Sequence, residues 1–381
     1  MRAGHPWIFS NEVDVARSPL DGFAAGDAVE IRDHGGHVVG SAYVNPHTLI
    51  CARMVSRRAG VRLDGGVLRE RLARALGLRE RCYAGRCYRL VFGESDWLPG
   101  LVVDRFDDVL VVQFGTAGIE RVHGAVLDAL AKLCAPRAIV LRNDGANRAL
   151  EGLERGVEVC HGVLDGDVGL VENGIRFTAD VLAGQKTGWF FDHRDNRARV
   201  AGLCRGARVL DCFSYSGAWG IQALMAGAAS ALCVDSSAAA LERARSNAVL
   251  NGVAERLAVR EADLFEALRA LDEDGERFDV VIVDPPAFVR RRKDLKAGIN
   301  AYQRLNRLAM RVLGADGLLL SASCSAHLAP GQLLDALRGA AKGAGSRLQL
   351  IARGHQGADH PVHPAMPESD YLKAFLLRVV R

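Results

Sequence analysis

The sequence predicts an α/β protein in three parts: an N-terminal β-barrel, a small α+β middle domain and a C-terminal domain with a doubly wound parallel sheet. Short strands separated by glycine turns occupy the first 75 residues. Strands and helices alternate from about residue 169 onward, which is typical of a parallel sheet. One strand there, residues 280–283, is a continuous apolar run of the kind that is buried on both faces. We therefore expect domains at residues 1–75, 76–168 and 169–381.

The composition is typical of a soluble globular protein. Of the 381 residues, 49% are hydrophobic and 25% are charged, and the formal net charge of +4 is too mild to indicate a partner. The nine cysteines include no Cys-x-x-Cys pair, so we expect reduced thiols and no metal site. No apolar run reaches the ~18 residues that span a bilayer, and the N-terminus lacks the apolar core of a signal peptide. These features predict a cytoplasmic protein without membrane contact.

The first part of the chain has the pattern of a compact barrel. Residues 26–33 alternate and end at a glycine turn, and residues 37–44 return, which predicts a hairpin. A further strand at 49–55 supports a barrel of short strands. Arg53 and the arginines that follow it would suit a phosphate-facing edge. The alternative is a solvated basic rim.

The middle part, residues 83–165, combines short strands with one amphipathic helix at 119–133. It contains no constellation that indicates catalysis. We expect a small α+β domain that joins the barrel to the C-terminal domain.

The first strand-to-helix turn of the C-terminal domain indicates the cofactor. A pyrophosphate needs several glycines at such a turn, but residues 211–217 supply one aspartate, two serines and a single glycine. This set suits a nucleoside without phosphates. A second strand ends in Asp235, where a carboxylate can accept hydrogen bonds from both ribose hydroxyls. A third ends in Asp263-Leu264, where Asp263 could accept from the adenine amino group and Leu264 could pack on the adenine ring.

Four acidic strand ends in succession predict S-adenosylmethionine, although a single aspartate at such a place often only caps the next helix. The stretch 184–197 is dense in Lys, Asp and Arg and could form a wall of the same pocket, or an ordinary amphipathic helix with charge pairs. The predicted cofactor-binding residues are Asp211, Ser214, Ser216, Gly217, Asp235, Ser236, Asp263, Leu264, Asp284 and Lys186.

The strand at 280–283 ends in Asp284-Pro285-Pro286-Ala287-Phe288. The two prolines fix φ and remove backbone donors, so the chain leaves the sheet stiffly. This holds Asp284 and Phe288 at the carboxyl edge, where open α/β sheets bind ligands. Such a strand end can clamp a planar base beside a methyl donor. The run Arg290, Arg291 and Arg292 that follows could grip RNA phosphates or simply be solvated.

A thiol accompanies this clamp. Cys324 ends the next strand and therefore lies at the same edge. Carbon C5 of cytosine or uracil attacks a methyl donor only after a thiolate has added to C6, and a base then removes the C5 proton. We expect Cys324 to be this nucleophile, Asp284 to bind the N3/N4 edge and Phe288 to stack on the base. The base must be unstacked or single-stranded to enter.

The order of these motifs resembles the RlmI family of bacterial large-subunit ribosomal RNA cytosine-C5 methyltransferases, over nearly the whole chain. The resemblance implies a PUA domain that binds structured RNA and a Rossmann-like class I methyltransferase domain. It also implies 23S rRNA as substrate, S-adenosylmethionine as donor and 5-methylcytosine as product, with Cys324 as nucleophile and Asp284 as the base-binding acid. The matching motifs are Gly4-His5-Pro6-Trp7, Gln185-Lys186-Thr187-Gly188, Asp211 to Gly217, Asp284 to Phe288, Ser323-Cys324-Ser325, Asp359-His360-Pro361 and Tyr371-Leu372-Lys373.

The chain departs from the wider group of RNA 5-methylcytosine enzymes at one place. Those enzymes carry a second cysteine after the Asp-Pro pair, where this chain has Pro286 and Ala287, so another base must assist product release. Two other functions stay open: an RNA N-methyltransferase that uses the clamp without a thiol, and a non-catalytic RNA-binding assembly factor. The sequence leaves both a monomer and a homodimer open.

Overall fold

The computed structural model describes residues 4–381; residues 1–3, on which the signal-peptide prediction partly rests, lie outside the described part. Contacts divide the chain into two compact units. Unit 1 comprises Met1–Leu170, Ala179–Phe191 and Ala358–Ser369, and unit 2 comprises Val171–Thr178, Asp192–Gly357 and Asp370–Arg381. The predicted barrel and middle domain both fall in unit 1. Within residues 4–381, no helix is long and apolar enough to cross a membrane.

The first sheet of unit 1 is antiparallel, with the strand order β1-β4-β3-β2. The predicted hairpin is confirmed, because residues 27–32 pair antiparallel with residues 38–44. Gly40 is required on the other edge of residues 38–44, next to residues 52–56: a Cβ there would lie 2.1 Å from the Ser56 carbonyl oxygen. The four strands are β1 (Trp7–Ile8), β2 (Asp27–Arg32), β3 (Val38–Val44) and β4 (Ala52–Ser56).

A second sheet of unit 1 has five strands in sequential order. Only the pair β7 and β8 is parallel, and the chain between these two strands forms the helical crossover that a parallel pair needs. The strands are β5 (Cys87–Phe92), β6 (Leu101–Phe106), β7 (Val109–Phe114), β8 (Ala138–Asn143) and β9 (Gly156–Gly162). The helices are α1 (Gly65–Cys82), α2 (Ala117–Glu120), α3 (His123–Cys134) and α4 (Asn147–Leu150).

A buried ion pair ties several segments of unit 1 together. The side chain of Arg79 on α1 is fully buried and meets the carboxylate of Asp96 in a bidentate pair with N–O distances of 2.6 and 2.7 Å. The same guanidinium donates to the carbonyl oxygens of Arg89 and Asp359, at 2.9 and 2.8 Å. Burying the guanidinium or the carboxylate without its partner would cost several kcal/mol of free energy. The pair therefore fixes how α1, β5 and the segment 358–369 pack.

A two-stranded hairpin of β10 (Val168–Glu172) and β11 (Ile175–Ala179) follows. Unit 2 contains a seven-stranded sheet in the order β14-β13-β12-β15-β16-β18-β17. The first five of these strands run parallel, and β18 is antiparallel to both of its neighbours. The strands are β12 (Arg208–Cys212), β13 (Ser230–Asp235), β14 (Leu257–Glu261), β15 (Phe278–Val283), β16 (Leu313–Ser323), β17 (Arg347–Gly354) and β18 (Lys373–Val380).

Six helices complete unit 2, and the doubly wound sheet predicted from the alternation is confirmed. The helices are α5 (Arg194–Ala201), α6 (Ala218–Met225), α7 (Ala238–Leu250), α8 (Leu264–Glu273), α9 (Leu295–Arg311) and α10 (Pro330–Gly343). The strand order reverses between β12 and β15, which lie side by side with Cys212 opposite Val283. A ligand crevice forms outside the carboxyl ends of the strands at such a reversal.

We expect Asp96→Asn to lower the free energy of unfolding of unit 1 by about 3 kcal/mol, because it leaves the buried Arg79 charge without its counter-ion. The matched control is Asp14→Asn. Asp14 pairs with Arg17 at 3.7 Å, and both side chains are more than 60% exposed, so this change should cost no more than about 0.5 kcal/mol. Urea unfolding of the two variants checks this, and equal losses would contradict it.

Candidate active site

The turn after β12 is tightly constrained. Phe213, Tyr215 and Gly217 all have positive φ, at 60°, 47° and 79°, a conformation that non-glycine residues seldom adopt. A Cβ on Gly217 would also lie 2.9 Å from the Cβ of Ala244 on α7. Backbone strain of this kind is concentrated at binding sites. The turn therefore marks the strand-order reversal as a ligand site.

Three polar side chains are buried at this turn. Asp211, Ser214 and Ser216 are 0%, 3% and 1% exposed. Asp211 Oδ2 accepts a hydrogen bond from the Gly220 amide at 2.9 Å. Asp211 Oδ1 and both serine hydroxyls are buried without a hydrogen-bond partner within residues 4–381. Since buried polar atoms are nearly always paired, these three fit the polar groups of a bound cofactor.

The protonation of Asp211 is set by its burial. Burial raises the pKa of this carboxyl to about 7, and the negative charge of Asp284 adds to the effect, against the lowering by the Gly220 hydrogen bond. Asp211 is thus poised to ionise when a positive group approaches. A sulfonium or an ammonium group would supply that charge.

The other predicted cofactor residues have different surroundings. The Asp235 carboxylate accepts hydrogen bonds from the amides of Tyr215 and Ser237, at 2.9 and 3.0 Å, and so helps to hold the turn; Ser236 is exposed. Asp263 is exposed and caps α8 by accepting from the Glu266 amide at 3.2 Å, while Leu264 packs in the core at 5% exposure. Their contacts with a cofactor stay predictions.

Asp284, at the end of β15, is held by two side chains. His193 Nε2 lies 3.2 Å from Asp284 Oδ1, and the Trp219 indole N–H donates to Oδ2 at 3.2 Å. Burial works to raise the pKa of Asp284, but the interaction with His193 and the Trp219 hydrogen bond hold it below its usual value. Asp284 is therefore an ionised carboxylate at neutral pH, able only to accept hydrogen bonds.

His193 is a site residue that sequence reasoning missed. Its ring is 3% exposed. The Asn196 amide nitrogen lies 3.2 Å from His193 Nδ1, so with Asn196 as donor there, Nε2 is the nitrogen that donates to Asp284. The only available signal was its place in the charged stretch 184–197, since nothing in the sequence pairs it with Asp284.

Cys324 follows the last residue of β16. β15 and β16 pair in parallel with Val283 opposite Ser321, so both strands deliver their next residues to the same edge of the sheet. The side chains flanking Cys324 are fixed by Tyr302, whose hydroxyl lies 2.8 Å from Ser323 Oγ and 3.1 Å from Ser325 Oγ. The sequence prediction that the clamp and the thiol occupy neighbouring strand ends agrees with this register.

Phe288 lies against the same network. Its ring centroid is 4.8 Å from that of Tyr302, and the Val289 amide donates to Ser325 Oγ at 3.2 Å. The segment after the prolines is thereby anchored to the strand end that carries Cys324. The two rings are tilted by 49° relative to each other, and the stacking of Phe288 on a substrate base stays a prediction.

The predicted RNA-contacting cations differ in environment. Arg290, Arg291 and Arg292 are exposed, as a phosphate-binding run must be. Arg53 is instead only 12% exposed and pairs with Glu94 at 2.7 Å and Glu151 at 3.6 Å. Its charge is largely neutralised there, and the structure adds no support for its contact with phosphate.

Lys186, predicted to bind the cofactor, belongs to unit 1. Its ammonium lies 4.7 Å from the centroid of the Phe190 ring, and its backbone has a positive φ of 53°. A cofactor contact for Lys186 stays a prediction.

The strand order, the strained turn and its unpaired buried polar atoms are those expected of a class I methyltransferase. A family model described as S-adenosylmethionine-dependent methyltransferase matches residues 85–378, and a PUA-like domain model matches residues 1–57. S-adenosylmethionine is the cofactor of this class, and Asp211, Ser214 and Ser216 fit it.

The chain belongs, within this class, to the family of the ribosomal RNA large subunit methyltransferases I. It is 37% identical to the protein of that name from Shewanella frigidimarina, over 98% of this chain and 95% of the relative. It is also 37% identical to the Erwinia tasmaniensis protein, over 99% of this chain and 96% of the relative. The resemblance given by the motifs is confirmed.

Solved structures share the fold. A methyltransferase crystallised with S-adenosylhomocysteine superposes with a TM-score of 0.85 at 18% identity, covering 99% of this chain and 96% of the other. A methyltransferase from Streptococcus mutans gives 0.84 at 17% identity, with the same coverage. Trm5b from Pyrococcus abyssi gives 0.56 at 17% identity, over 99% of both chains.

We expect binding of S-adenosylmethionine without RNA to tighten by about tenfold as the pH rises from 6 to 8. Asp211 is largely neutral below a pKa of about 7 and ionised above it, and only the ionised form attracts a cationic cofactor. Titration calorimetry across this pH range measures the effect. Asp211→Asn should abolish the pH dependence of the affinity, and Asp263→Asn should retain it. If wild type and Asp211→Asn show the same pH profile, the assignment to Asp211 is contradicted.

Proposed function

We propose that this chain transfers a methyl group to carbon C5 of a cytosine in 23S ribosomal RNA, by way of a covalent adduct of Cys324. The observation that carries the proposal is the parallel register of β15 and β16, which brings Asp284 and Cys324 to one edge of the sheet. The relatives named ribosomal RNA large subunit methyltransferase I support an rRNA substrate. A cytoplasmic location follows from that substrate.

Methylation of a ring carbon requires the thiol, whereas methylation of a nitrogen does not. Addition of the Cys324 thiolate to C6 breaks the C5–C6 double bond and places nucleophilic electron density on C5. S-adenosylmethionine supplies the methyl group as an electrophile. Loss of the C5 proton to a base then restores the double bond and expels the thiolate. Pro286 and Ala287 occupy the place of a second cysteine, so that base is not a neighbouring thiol.

Asp284 would bind the Watson–Crick edge of the target base in this scheme. Because His193 and Trp219 keep its pKa low, the carboxylate is ionised and can only accept hydrogen bonds. The N4 amino group of cytosine donates to such an acceptor. The N3–H of uracil could also donate to it, so the carboxylate orients the base but does not by itself exclude uracil. The edge of the target base thus meets one group whose charge is fixed before RNA binds.

The RNA must present its base outside a helix. A thiol of the protein cannot reach C6 of a base that is stacked in a duplex. The target base is therefore single-stranded or flipped out. Arg290, Arg291 and Arg292 are exposed a few residues beyond the clamp and are suited to the flanking phosphates. PUA-like residues 1–57 would add contacts with structured RNA.

A deletion strain for the gene of this chain tests substrate and mechanism together. We expect mass spectrometry of its 23S rRNA to show the loss of one 5-methylcytosine, restored by the wild-type gene. Cys324→Ala should reduce methyl transfer by at least about a thousandfold, because no other group replaces the nucleophile. Cys82→Ala, at an exposed cysteine, is the matched control and should restore the methyl group fully.

The outcomes separate the competing functions. Near-normal methylation by Cys324→Ala, with the methyl group on a nitrogen, would establish the N-methyltransferase that uses the clamp alone. Unchanged 23S rRNA in the deletion strain, together with no binding of S-adenosylmethionine, would establish a non-catalytic RNA-binding factor.

A further inference from the structure

Lys373 is a buried cation beside the proposed nucleophile. Lysines are seldom buried unless they are paired, yet Lys373 is 6% exposed. Its ammonium donates to the carbonyl oxygens of Ser325 at 2.6 Å and Tyr371 at 2.8 Å. Within residues 4–381 it makes no ion pair with a carboxylate. Two carbonyls do not neutralise a charge, and the third ammonium proton has no partner among the described residues.

The register of the sheet places this cation at the strand end that carries Cys324. β16 and β18 pair antiparallel with Ser323 opposite Lys373, and the Ser325 carbonyl that accepts from Lys373 is one residue beyond Cys324. Ser323 and Ser325 are themselves fixed by the Tyr302 hydroxyl. The register therefore places Lys373 at this strand end, and its ammonium reaches the carbonyl of the residue next to Cys324.

Ionisable side chains lie around the thiol and around Lys373. Lys373 faces the thiol from β18 and Tyr302 faces it from α9, while Asp370 faces Lys373. Burial lowers the pKa of Lys373, and the negative charges of Asp370 and Cys324 oppose that shift. Burial raises the pKa of Tyr302, and the negative charge of Cys324 adds to it, so Tyr302 stays neutral. Lys373 is the cation of this set.

We propose that Lys373 is a positioning residue whose buried ammonium holds Cys324 as a thiolate before RNA binds. A nearby cation stabilises a thiolate relative to a thiol, and the thiolate is the nucleophile. The thiol proton passes to solvent, and the ammonium keeps all of its protons. This role rests on the proposed function only in giving the thiolate something to attack; the proposed ion pair itself does not require RNA.

Alkylation of Cys324 as a function of pH tests the pair directly. The full chain is treated with iodoacetamide, and the labelled Cys324 peptide is quantified by mass spectrometry, which separates it from the other eight cysteines. We expect half-maximal reactivity below the ordinary thiol value of about 8.5. Lys373→Met should raise that midpoint by about one pH unit, or roughly a tenfold slower labelling at pH 7.

Two variants serve as controls. Lys373→Arg keeps the positive charge, so its alkylation midpoint should stay close to that of wild type. Lys342→Met removes an exposed lysine of α10 and should leave the profile unchanged. Superimposable profiles of wild type and Lys373→Met would overturn the proposal. If Lys373→Met fails to fold, the pH midpoint of Cys324 alkylation in wild type decides alone. A midpoint at or above the pKa of an ordinary thiol overturns the proposal.

The assay also separates this inference from the proposed function. Iodoacetamide needs neither RNA nor S-adenosylmethionine. A lowered midpoint in wild type, combined with full methylation by Cys324→Ala, would retain the ion pair and refute the adduct. An ordinary midpoint, combined with inactive Cys324→Ala, would retain the adduct and refute the role of Lys373.

Discussion

The register of three adjacent strands, β15, β16 and β18, determines the chemistry of the site. Val283 lies opposite Ser321, and Ser323 lies opposite Lys373. Because side chains alternate between the faces of a sheet, a slip of one residue would turn Asp284 or Cys324 away from the crevice. Buried apolar side chains on both faces of β15 and β16 prevent such a slip. The hydrophobic core therefore fixes the positions of the reactive groups.

Burial works to raise the pKa of both acidic groups of the crevice, but the net shifts of the two pKa values have opposite directions. The Gly220 hydrogen bond and the positive charge of Arg197 lower the pKa of Asp211 by less than burial raises it, so its pKa rises to about 7. Asp284 is also desolvated, but His193 and Trp219 bring its pKa below the usual value. One carboxyl is thus responsive to a cationic cofactor, and the other is a permanent acceptor. The same type of side chain serves two purposes because its partners differ.

Much of the fold and part of the site could be predicted from the sequence. The run at 280–283 and the alternation after residue 169 led to the parallel sheet, and the motifs ending at Asp284 and Cys324 led to neighbouring strand ends. β17 and β18 were not predicted, although the apolar run at 374–377 was an available signal. Without β18, nothing placed Lys373 beside Cys324. His193 was missed for a similar reason, because its partner is distant in the chain.

Side-chain partners were the least predictable feature. In the sequence, Arg53 belongs to a group of arginines that suggests phosphate binding. In the fold, Arg53 is largely buried and pairs with Glu94 and Glu151. Asp263 was weighed as both a ligand and a helix cap, and its exposed carboxylate does cap α8. Local pattern cannot decide such cases, since the free energy of a charge depends on neighbours that only the tertiary structure supplies.

The central claim is that Cys324 forms a bond to C6 of the target cytosine. RNA that carries 5-fluorocytidine at the target tests it, because fluorine at C5 cannot leave as a proton and the adduct persists after methyl transfer. The account predicts a protein–RNA complex that survives denaturing electrophoresis, requires S-adenosylmethionine for its full yield and maps to Cys324 by peptide mass spectrometry. Methylated product without any covalent complex would contradict it.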